Sequence, residues 1–397
     1  MLDFSLTEEQ KVLKETVRKF AEKEIRPTVR EVDKNPDPIA SFPWAVVKKA
    51  NKLGFGKILI PTKYGGYGGG LFDYALLLEE LAYGDVGIAM IFMINNSLAR
   101  IIAVEGNEEQ KERWLRPISE DKEGDHIIAG AVTEPTGGSE VFCLLPDLQY
   151  GVRSTARLEG SEYVINGQKK FITSAGVAKL YCIMARTDPS KPNAEGCNIF
   201  YFPADTPGMR IGKIEDKMGN RTIQVAEIFF DNMRLPKESM LEKPGEGLKT
   251  TVEIYKANGV GCGAMAVGLA QAAYDEALKY AKERVSWGKP LIHHQAIAMK
   301  LADMRMEIEA ARALIYRVIW AIEHSEESGD LFKIGPTMAK VFPTSLVRKI
   351  TVEAMQILGG YGYMKDSPVE KYVRDSMVMP IYDGANELLK IFISYDL

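Results

Sequence analysis

YVINGQKKFI, residues 163–172, sets the middle of this 397-residue chain apart from its two ends. Two runs of strand-forming residues, YVI and KFI, flank the dipeptide Asn166-Gly167. An Asn-Gly pair between such runs favours a two-residue hairpin turn. From Ile127 to Leu235 the sequence continues as short β-rich runs with turn residues between them, which predicts a β domain of about 110 residues. Two more of these runs are strand candidates: residues 198–202 and 223–230.

The sequence before this middle part has helical patterns. Thr7 with Gln10, and Asn107 with Gln110, have the spacing of a capping box, which marks a helix start. Apolar residues follow the first pair at a helical period. Residues 72–83 are rich in leucine and predict a buried helix.

The sequence after the middle part predicts long helices. They cover residues 247 to about 283, 292 to about 324, 336–358, and a short last one from 385 to about 393. The fold class that follows is α+β, with the order α–β–α. We expect an N-terminal all-helical domain, a middle β-barrel or sandwich domain, and a C-terminal four-helix bundle, with these bounds: 1–126, 127–240 and 241–397.

Composition excludes several classes of protein. Lys and Arg total 50 against 54 Asp and Glu, so the net charge is −4. A strongly basic nucleic-acid-binding protein is therefore not expected. No apolar run reaches roughly 18 residues, so we expect no membrane span. The first residues, MLDFSLTEEQ, are polar and acidic and do not resemble a signal peptide, which predicts a soluble, cytoplasmic protein.

Cysteine and histidine do not indicate a metal site. The chain has no C-x-x-C and no H-E-x-x-H motif, and His293 and His294 are adjacent, so on a helix they point to different sides. We predict no metal, and free thiols rather than disulfides at the four cysteines. These are Cys143, Cys182, Cys197 and Cys262.

One glycine motif could be mistaken for a nucleotide site. Residues 259–264 match G-x-G-x-x-A, which binds dinucleotides where a strand precedes it and a helix begins at it. Here a helical pattern runs on both sides of the motif. We therefore interpret these small residues as a site of close helix packing.

Several segments together resemble the acyl-CoA dehydrogenase family of flavoproteins. They appear in that family's order and spacing over nearly the whole chain. They are VTEPTGGSE (132–140), KFITSAG (170–176), FDNMRLP (230–236), RVSWGK (284–289), QILGGYG (356–362), VRD (373–375) and IYDG (381–384). The chain is identified as a member of this family on the series of motifs, because no single one is decisive.

The resemblance implies a non-covalently bound FAD, a homotetramer and an electron-transferring flavoprotein as partner. By motif, the residues beside the flavin ring are Val132, Thr133, Ser139, Phe171 and Thr173. Others match positions that meet the FAD of a neighbouring subunit, with Arg284 pairing the pyrophosphate through its planar fork of donors. These are Arg284, Ser286, Trp287, Gln295, Gln356 and Gly360. The implied FAD site therefore spans a subunit interface.

The implied reaction is α,β-dehydrogenation of an acyl-CoA thioester, in which a base removes the α-proton. The family usually has Glu in Y-E-G-T, whereas this chain has Asp383 between Tyr382 and Gly384. Asp is shorter by one methylene, about 1.5 Å of reach. Asp383 is therefore the base with the substrate seated closer, or a polar group beside another acid, or part of a variant reaction. The simpler interpretation is an Asp that caps the last helix.

The substrate side of the site also departs from the family. Some members place the base on the long helix, where this chain has Asn258, and the Arg that usually follows is Gly259. These differences suggest an alicyclic, aryl-bearing or branched acyl group. We assign Ser139, Met93, Asn258, Tyr382 and Gly384 to substrate binding. An arginine, Arg100, leaves open a second carboxylate on the acyl group.

Three other functions remain open at this point. An enoyl-CoA reductase would run the same chemistry in reverse, and sequence does not set the direction. A flavin monooxygenase on the same fold would usually lack the acid. A non-catalytic oligomeric binding module would bind no flavin at all.

Overall fold

The computed structural model describes residues 5–39 and 42–395. The N-terminal part is helical, as predicted. The capping boxes of Thr7 and Asn107 are both present and begin two of its helices. The first helix continues through a π-helical turn, Ala21–Ile25, into the second. The helices of this part are α1 (Glu8–Phe20), α2 (Arg26–Lys34), α3 (Trp44–Lys52), α4 (Leu71–Gly84), α5 (Val86–Glu105) and α6 (Glu108–Ser119).

Helix α5 is long and strongly apolar. By length and composition it is the one helix among the described residues that could cross a membrane. However, 83% of its most apolar window is buried inside the protein. Asn96 in this window donates hydrogen bonds to the carbonyls of Phe55 and Phe92, both at 2.8 Å. We therefore describe α5 as a core helix whose polar side chains are paired within the fold.

The middle part forms a curled sheet. Its strands are β1 (Ile128–Ala131), β2 (Thr155–Glu159), β3 (Glu162–Thr173), β4 (Leu180–Arg186), β5 (Cys197–Pro203), β6 (Met209–Ile214) and β7 (Val225–Pro236), with a short helix α7 (Asn193–Gly196) before β5. Neighbouring strands follow the order β1-β4-β2-β3-β7-β6, and β5 pairs with β4. The strand candidates at residues 198–202 and 223–230 are confirmed as β5 and β7.

The hairpin predicted at Asn166-Gly167 is wrong, because both residues lie inside β3. The turn of the hairpin comes earlier, between β2 and β3, at Gly160 and Ser161. Gly167 has a φ of 151°, and a Cβ there would stand 2.4 Å from Ser154 Oγ. The pairing of β3 with β7 shifts register at this point, so the Asn-Gly pair makes a bulge instead of a turn.

The C-terminal part contains the predicted long helices. Its elements are α8 (Gly247–Glu283), the small strands β8 (Val285–Ser286) and β9 (Lys289–Pro290), and α9 (Gln295–Glu323), α10 (Leu331–Leu358), α11 (Gly360–Tyr363), α12 (Pro368–Ser376) and α13 (Asn386–Ser394). Helix α8 packs against α9 and α10 of its own part, and also against α4 and α5. The expected fold class, helical ends around a β middle part, is confirmed.

The glycine motif lies within α8 and allows close helix packing. A Cβ on Gly259 would stand 2.3 Å from the carbonyl oxygen of Pro336, and one on Gly263 would stand 2.2 Å from that of Ala339. Neither distance is possible, so α8 and α10 approach this closely only because glycine has no side chain. The interpretation of residues 259–264 as a packing site is confirmed.

A buried ionic cluster joins all three parts of the chain. Lys371 of α12 donates to Asp85, between α4 and α5, and to Asp375, both at 2.5 Å. Asp85 also accepts a hydrogen bond from Thr222 of the middle part, and Asp375 accepts one from the backbone of Asn220. Side-chain exposure is 7% or less for the three ionic residues. The cluster therefore fixes α12 to both other parts of the protein.

We predict that Lys371→Met destabilises the protein by about 3–5 kcal/mol, because it leaves two buried carboxylates without their cation. Urea denaturation monitored by circular dichroism measures the change. The matched control is Lys11→Met, which removes an exposed ion pair with Glu8 and should cost at most about 1 kcal/mol. Equal effects of the two substitutions would contradict the structural role of the cluster.

Candidate active site

Asp383 lies in the loop between α12 and α13, in an unusual backbone conformation. Its φ is 49°, and that of Gly384 is 84°, so two successive residues are left-handed. A left-handed residue other than glycine is uncommon and is found preferentially at functional sites. Helix α13 begins after Ala385, and no side chain caps it. The interpretation of Asp383 as a helix cap is therefore wrong.

The Asp383 carboxylate points to α8 and is held there by two donors. Asn258 Nδ2 donates to one oxygen at 2.9 Å, and the Cys262 thiol approaches the other at 3.6 Å. Asn258 and Cys262 are four residues apart, so they lie on one face of the helix. Sequence analysis singled out Asn258 but missed Cys262, although this spacing was a usable signal.

Burial determines the protonation behaviour of these groups. Loss of solvent raises the pKa of Asp383, and the Asn258 hydrogen bond, the Lys340 charge and the Cys262 thiol oppose this only in part. Burial also raises the pKa of Cys262 well above its usual value, so the thiol stays protonated and acts as a donor. A carboxylate with a raised pKa is a better proton acceptor than an exposed one.

A buried lysine lies behind the loop. Lys340 of α10 is fully buried, and its Nζ donates to the Gly384 carbonyl and to Asn386 Oδ1, both at 2.7 Å. Asn386 in turn donates to Thr344 Oγ1 at 3.0 Å. Sequence analysis missed Lys340, because a single lysine in an amphipathic helix is usually solvent-exposed.

Sulfur and aromatic groups pack around the side of α8 that holds the carboxylate. Met93 Sδ lies 3.8 Å from Cys262 Sγ, and the Tyr74 hydroxyl donates to the Met93 carbonyl at 3.2 Å. On α8, a Cβ added to Gly261 would meet the Tyr74 hydroxyl at 2.8 Å. The structure thus places Asn258 beside Asp383, and Met93 beside Cys262, which itself contacts Asp383.

Two polar atoms at this site lack partners. Asn258 Oδ1 and the Tyr382 hydroxyl are buried and have no hydrogen-bond partner among the residues that the structure describes. An unpaired buried polar group costs about 1–3 kcal/mol, so such groups are rare unless a ligand or water pairs with them. The site therefore has polar groups free to orient a bound molecule.

A second group of predicted residues lies on the middle part. Val132 and Thr133 follow β1, and the Lys170 N–H donates to the Thr133 carbonyl at 2.8 Å, which places this loop beside the end of β3. Phe171 there has a φ of 59°, and 57% of its surface is exposed. Thr173 is the last residue of β3. An exposed aromatic face beside half-buried threonines fits a flat, polar-edged ring such as a flavin.

A buried ion pair supports this loop from behind. Glu134 accepts hydrogen bonds from the N–H groups of Arg153 and Ser154, and from Lys169 Nζ at 2.8 Å. Burial alone would raise the pKa of Glu134, but the charge of Lys169 and these hydrogen bonds lower it overall. In the sequence, Glu134 is one residue of the VTEPTGGSE motif. Only the fold shows that its side chain anchors this loop to Lys169 and to the backbone of residues 153 and 154. Ser139 is exposed in a 3-10 turn just beyond it.

The third group lies at the far end of the C-terminal helices. The Arg284 guanidinium lies 5.9 Å from the centre of the Tyr361 ring, beside Gly360. Trp287, with a φ of 49°, is 95% exposed at the turn between β8 and β9. The remaining members of the group are also at least partly exposed: Ser286, Gln295 and Gln356.

This third group is far from Asp383. Arg284 follows Cys262 by 22 residues along α8, and this corresponds to roughly 33 Å of helix. The structure therefore brings Asp383, Asn258 and Met93 to one place and Arg284 and Gly360 to another. Within one chain it does not bring the two places together.

Models of three known domains match almost the whole chain. The acyl-CoA dehydrogenase N-terminal domain matches residues 7–122, the middle domain residues 129–233, and the C-terminal domain residues 245–396. They occur in the order in which the helical, β and helical parts follow one another.

Full-length relatives agree with this result. A protein of Clostridium acetobutylicum named acyl-CoA dehydrogenase, short-chain specific, is 36% identical over 395 residues and 99% of each chain is covered. The solved structure of butyryl-CoA dehydrogenase from Megasphaera elsdenii is 35% identical, with a TM-score of 0.90 over 100% of this chain and 99% of that one. A chain from a structure of the electron transferring flavoprotein of Acidaminococcus fermentans is 37% identical, with the same TM-score and coverage. The chain therefore belongs to the acyl-CoA dehydrogenase family of FAD-dependent oxidoreductases, which act on the CH–CH group of acyl-CoA thioesters.

Proposed function

We propose that this protein catalyses α,β-dehydrogenation of an acyl-CoA thioester, with Asp383 as the base that removes the α-proton. The observation that carries the proposal is the environment of Asp383. Its carboxylate is buried against α8, two donors on this helix fix its orientation, and burial raises its pKa. No other acid was singled out by motif at this point of the chain.

The roles of the other residues follow from their places. When bound, FAD supplies the acceptor for the β-hydrogen, which leaves the substrate as a hydride. Phe171, Thr133 and Thr173 would hold the ring beside the sheet, and Arg284 would pair with the pyrophosphate of a neighbouring subunit's FAD. Asn258 and Cys262 hold the carboxylate while it accepts the proton at Oδ. We assign the backbone N–H of Asp383 to the thioester oxygen, whose negative charge increases as the α-proton leaves.

We propose that the acyl group is alicyclic, aryl-bearing or branched. The Asp383 carboxylate is held against α8, so the α-carbon must lie closer to this helix than a Glu would require. Family members usually carry an Arg at the position of Gly259. This chain has no room for it, because Pro336 of α10 occupies that space. Both differences reshape the wall next to the α-carbon. Relatives named short-chain specific make a short straight chain the competing outcome.

We further propose a homotetramer that passes electrons to an electron-transferring flavoprotein. Large apolar side chains are exposed on the C-terminal part of the chain, among them Trp287, Met299, Met306 and Tyr361. Exposed apolar surface of this extent is typical of subunit interfaces. Among the described residues, the one helix that is long and apolar enough to cross a membrane is buried in the core, and we propose an aqueous compartment such as the cytoplasm for the enzyme.

We predict that Asp383→Asn slows anaerobic bleaching of the flavin by acyl-CoA by about 10²–10⁴-fold, because an amide cannot accept the α-proton. Asp383→Glu keeps a carboxylate but lengthens the side chain by one methylene, about 1.5 Å, which should cost about 10²-fold. Stopped-flow absorbance at saturating substrate measures both rates. The control is Asp366→Asn, an exposed acid in the same part of the chain. If Asp383→Asn bleaches at the wild-type rate, Asp383 is not the base.

The acyl group is tested with a panel of cyclic, aryl-bearing, branched and linear acyl-CoA substrates. We expect the highest kcat/KM for a member that is not a straight chain, because the shorter base and the Gly259 wall favour a bulkier α-carbon environment. Butyryl-CoA or octanoyl-CoA as the best substrate would contradict this. Incubation of the matching enoyl-CoA with reduced electron donor compares the reverse direction.

The shared FAD site is tested with Arg284→Ala, which we expect to weaken FAD binding by about 10–100-fold, because a charged hydrogen bond to phosphate is lost. The control is Lys282→Ala, an exposed cation two residues before Arg284. FAD content after gel filtration measures the loss. In mixed oligomers of Arg284→Ala with Phe171→Ala chains, FAD content should recover, since some sites combine two intact halves. No recovery in exchanged oligomers would place each FAD site within one chain.

A further inference from the structure

Lys340 is fully buried and carries a charge that is not paired in a salt bridge with any residue that the structure describes. Its Nζ donates to the Gly384 carbonyl and to Asn386 Oδ1. Among the described residues, no carboxylate oxygen lies within 4.0 Å of this nitrogen. Lysine is almost never fully buried unless it is paired. A neutral side chain of similar length would fill the same space without the loss of solvation that a charge suffers.

The cost of this charge is considerable. Removing an ammonium group from water carries a large free-energy penalty, even after relaxation of the protein around it. Burial accordingly lowers the pKa of Lys340, and the carboxylates of Asp383 and Glu387 oppose this in part. The nearest loop is the left-handed turn of Asp383 and Gly384. A cation retained here at such a cost is best explained by the carboxylate beside it.

We propose that Lys340 is a positioning residue that holds the Asp383–Gly384 turn and provides the counter-charge of the Asp383 carboxylate. One hydrogen bond fixes the Gly384 carbonyl, which comes directly after the base in the chain. The charge, acting through the protein interior, favours the ionised form of Asp383 over the protonated one. The kinetic test of this proposal rests on the proposed function. A test by thermal unfolding is independent of the reaction.

The other groups around Asp383 are neutral, which leaves Lys340 as the source of the positive charge. Helix α8 contributes Asn258, Cys262 and Tyr255, and α4 contributes Tyr74. Tyr382 precedes Asp383 in the loop. The pKa values of the tyrosines and of Cys262 are all raised well above the ordinary ones, so these groups are neutral near pH 7. Of the groups named here, Lys340 of α10 is the one that carries positive charge.

The kinetic test is the pH dependence of flavin bleaching in FAD-loaded Lys340→Gln and Lys340→Met. In the wild type, the rate falls with decreasing pH as Asp383 becomes protonated, at a pH above the ordinary Asp value of about 3.9. Removing a cation disfavours the carboxylate, so the pKa of Asp383 rises. We expect this acid limb to move upward by about 1 pH unit or more in both variants.

Two variants separate charge from structure. Lys340→Arg keeps the positive charge and should hold the acid limb near its wild-type position, even if the rate falls. Lys333→Met removes an exposed lysine from the first turn of the same helix and should leave the whole profile unchanged. A folded, FAD-loaded Lys340→Gln enzyme with the wild-type acid limb would overturn the proposal, whatever its rate.

A stability measurement tests the same pair without catalysis. Lys340→Gln is compared in the wild-type and in the Asp383→Asn background by thermal unfolding of the holoenzyme. If Lys340 is the counter-charge, its loss lowers the melting temperature more when the carboxylate is present than when it is absent. Equal losses in the two backgrounds would overturn the proposal. If Asp383→Asn bleaches normally but the losses differ, the pairing stands and the proposed base is wrong.

Discussion

The close approach of α8 to its neighbours is the constraint on which the candidate site depends. Glycines allow this approach, since a Cβ on Gly259 or Gly263 would collide with the backbone of α10, and one on Gly268 would stand 2.1 Å from the Glu79 carbonyl of α4. With α10 this close, Lys340 reaches the loop that carries Asp383. With α4 this close, the Tyr74 hydroxyl lies against Gly261 of α8. A larger residue in this part of α8 would separate the base from its supports as well as weaken the core.

The Asp383 loop is held at both ends by hydrogen bonds and ion pairs to the packed helices. Before it, α12 is fixed by Lys371 to carboxylates between α4 and α5 and within α12 itself. Arg374 of the same helix pairs with Asp33 at the end of α2. After it, Asn386 bonds Lys340 and Thr344 of α10. Two successive left-handed residues persist between these anchors because the surrounding packing leaves the loop little choice of conformation.

Sequence analysis predicted what depends on local patterns and missed what depends on distant contacts. The helix starts at Thr7 and Asn107 were predictable, since a capping box needs only residues three positions apart. The Asn166-Gly167 turn was wrong because the bulge there is formed with Ser154 and β7, which no local signal shows. Asp383 and Asn258 were found through motifs, as was the loop containing Glu134. Cys262 and Lys340 were not, because their importance arises only when α8 and α10 pack together.

The small net charge of the chain requires that its anionic ligands be bound by individual cations. A net charge of −4 cannot attract two anionic molecules, an acyl-CoA and FAD, by a general field, so single cations must act locally. Arg284, which is exposed at the far end of α8, is the cation that we propose for FAD. Lys340, which is buried, is instead the proposed counter-charge of Asp383. In the proposed oligomer, Arg284 serves the FAD of a neighbouring subunit while Asn258 and Cys262 of the same helix orient Asp383 in their own. One rigid helix then contributes to two active sites, so a shift of α8 at one site is transmitted to the cofactor of the other, and correct assembly becomes a requirement for catalysis.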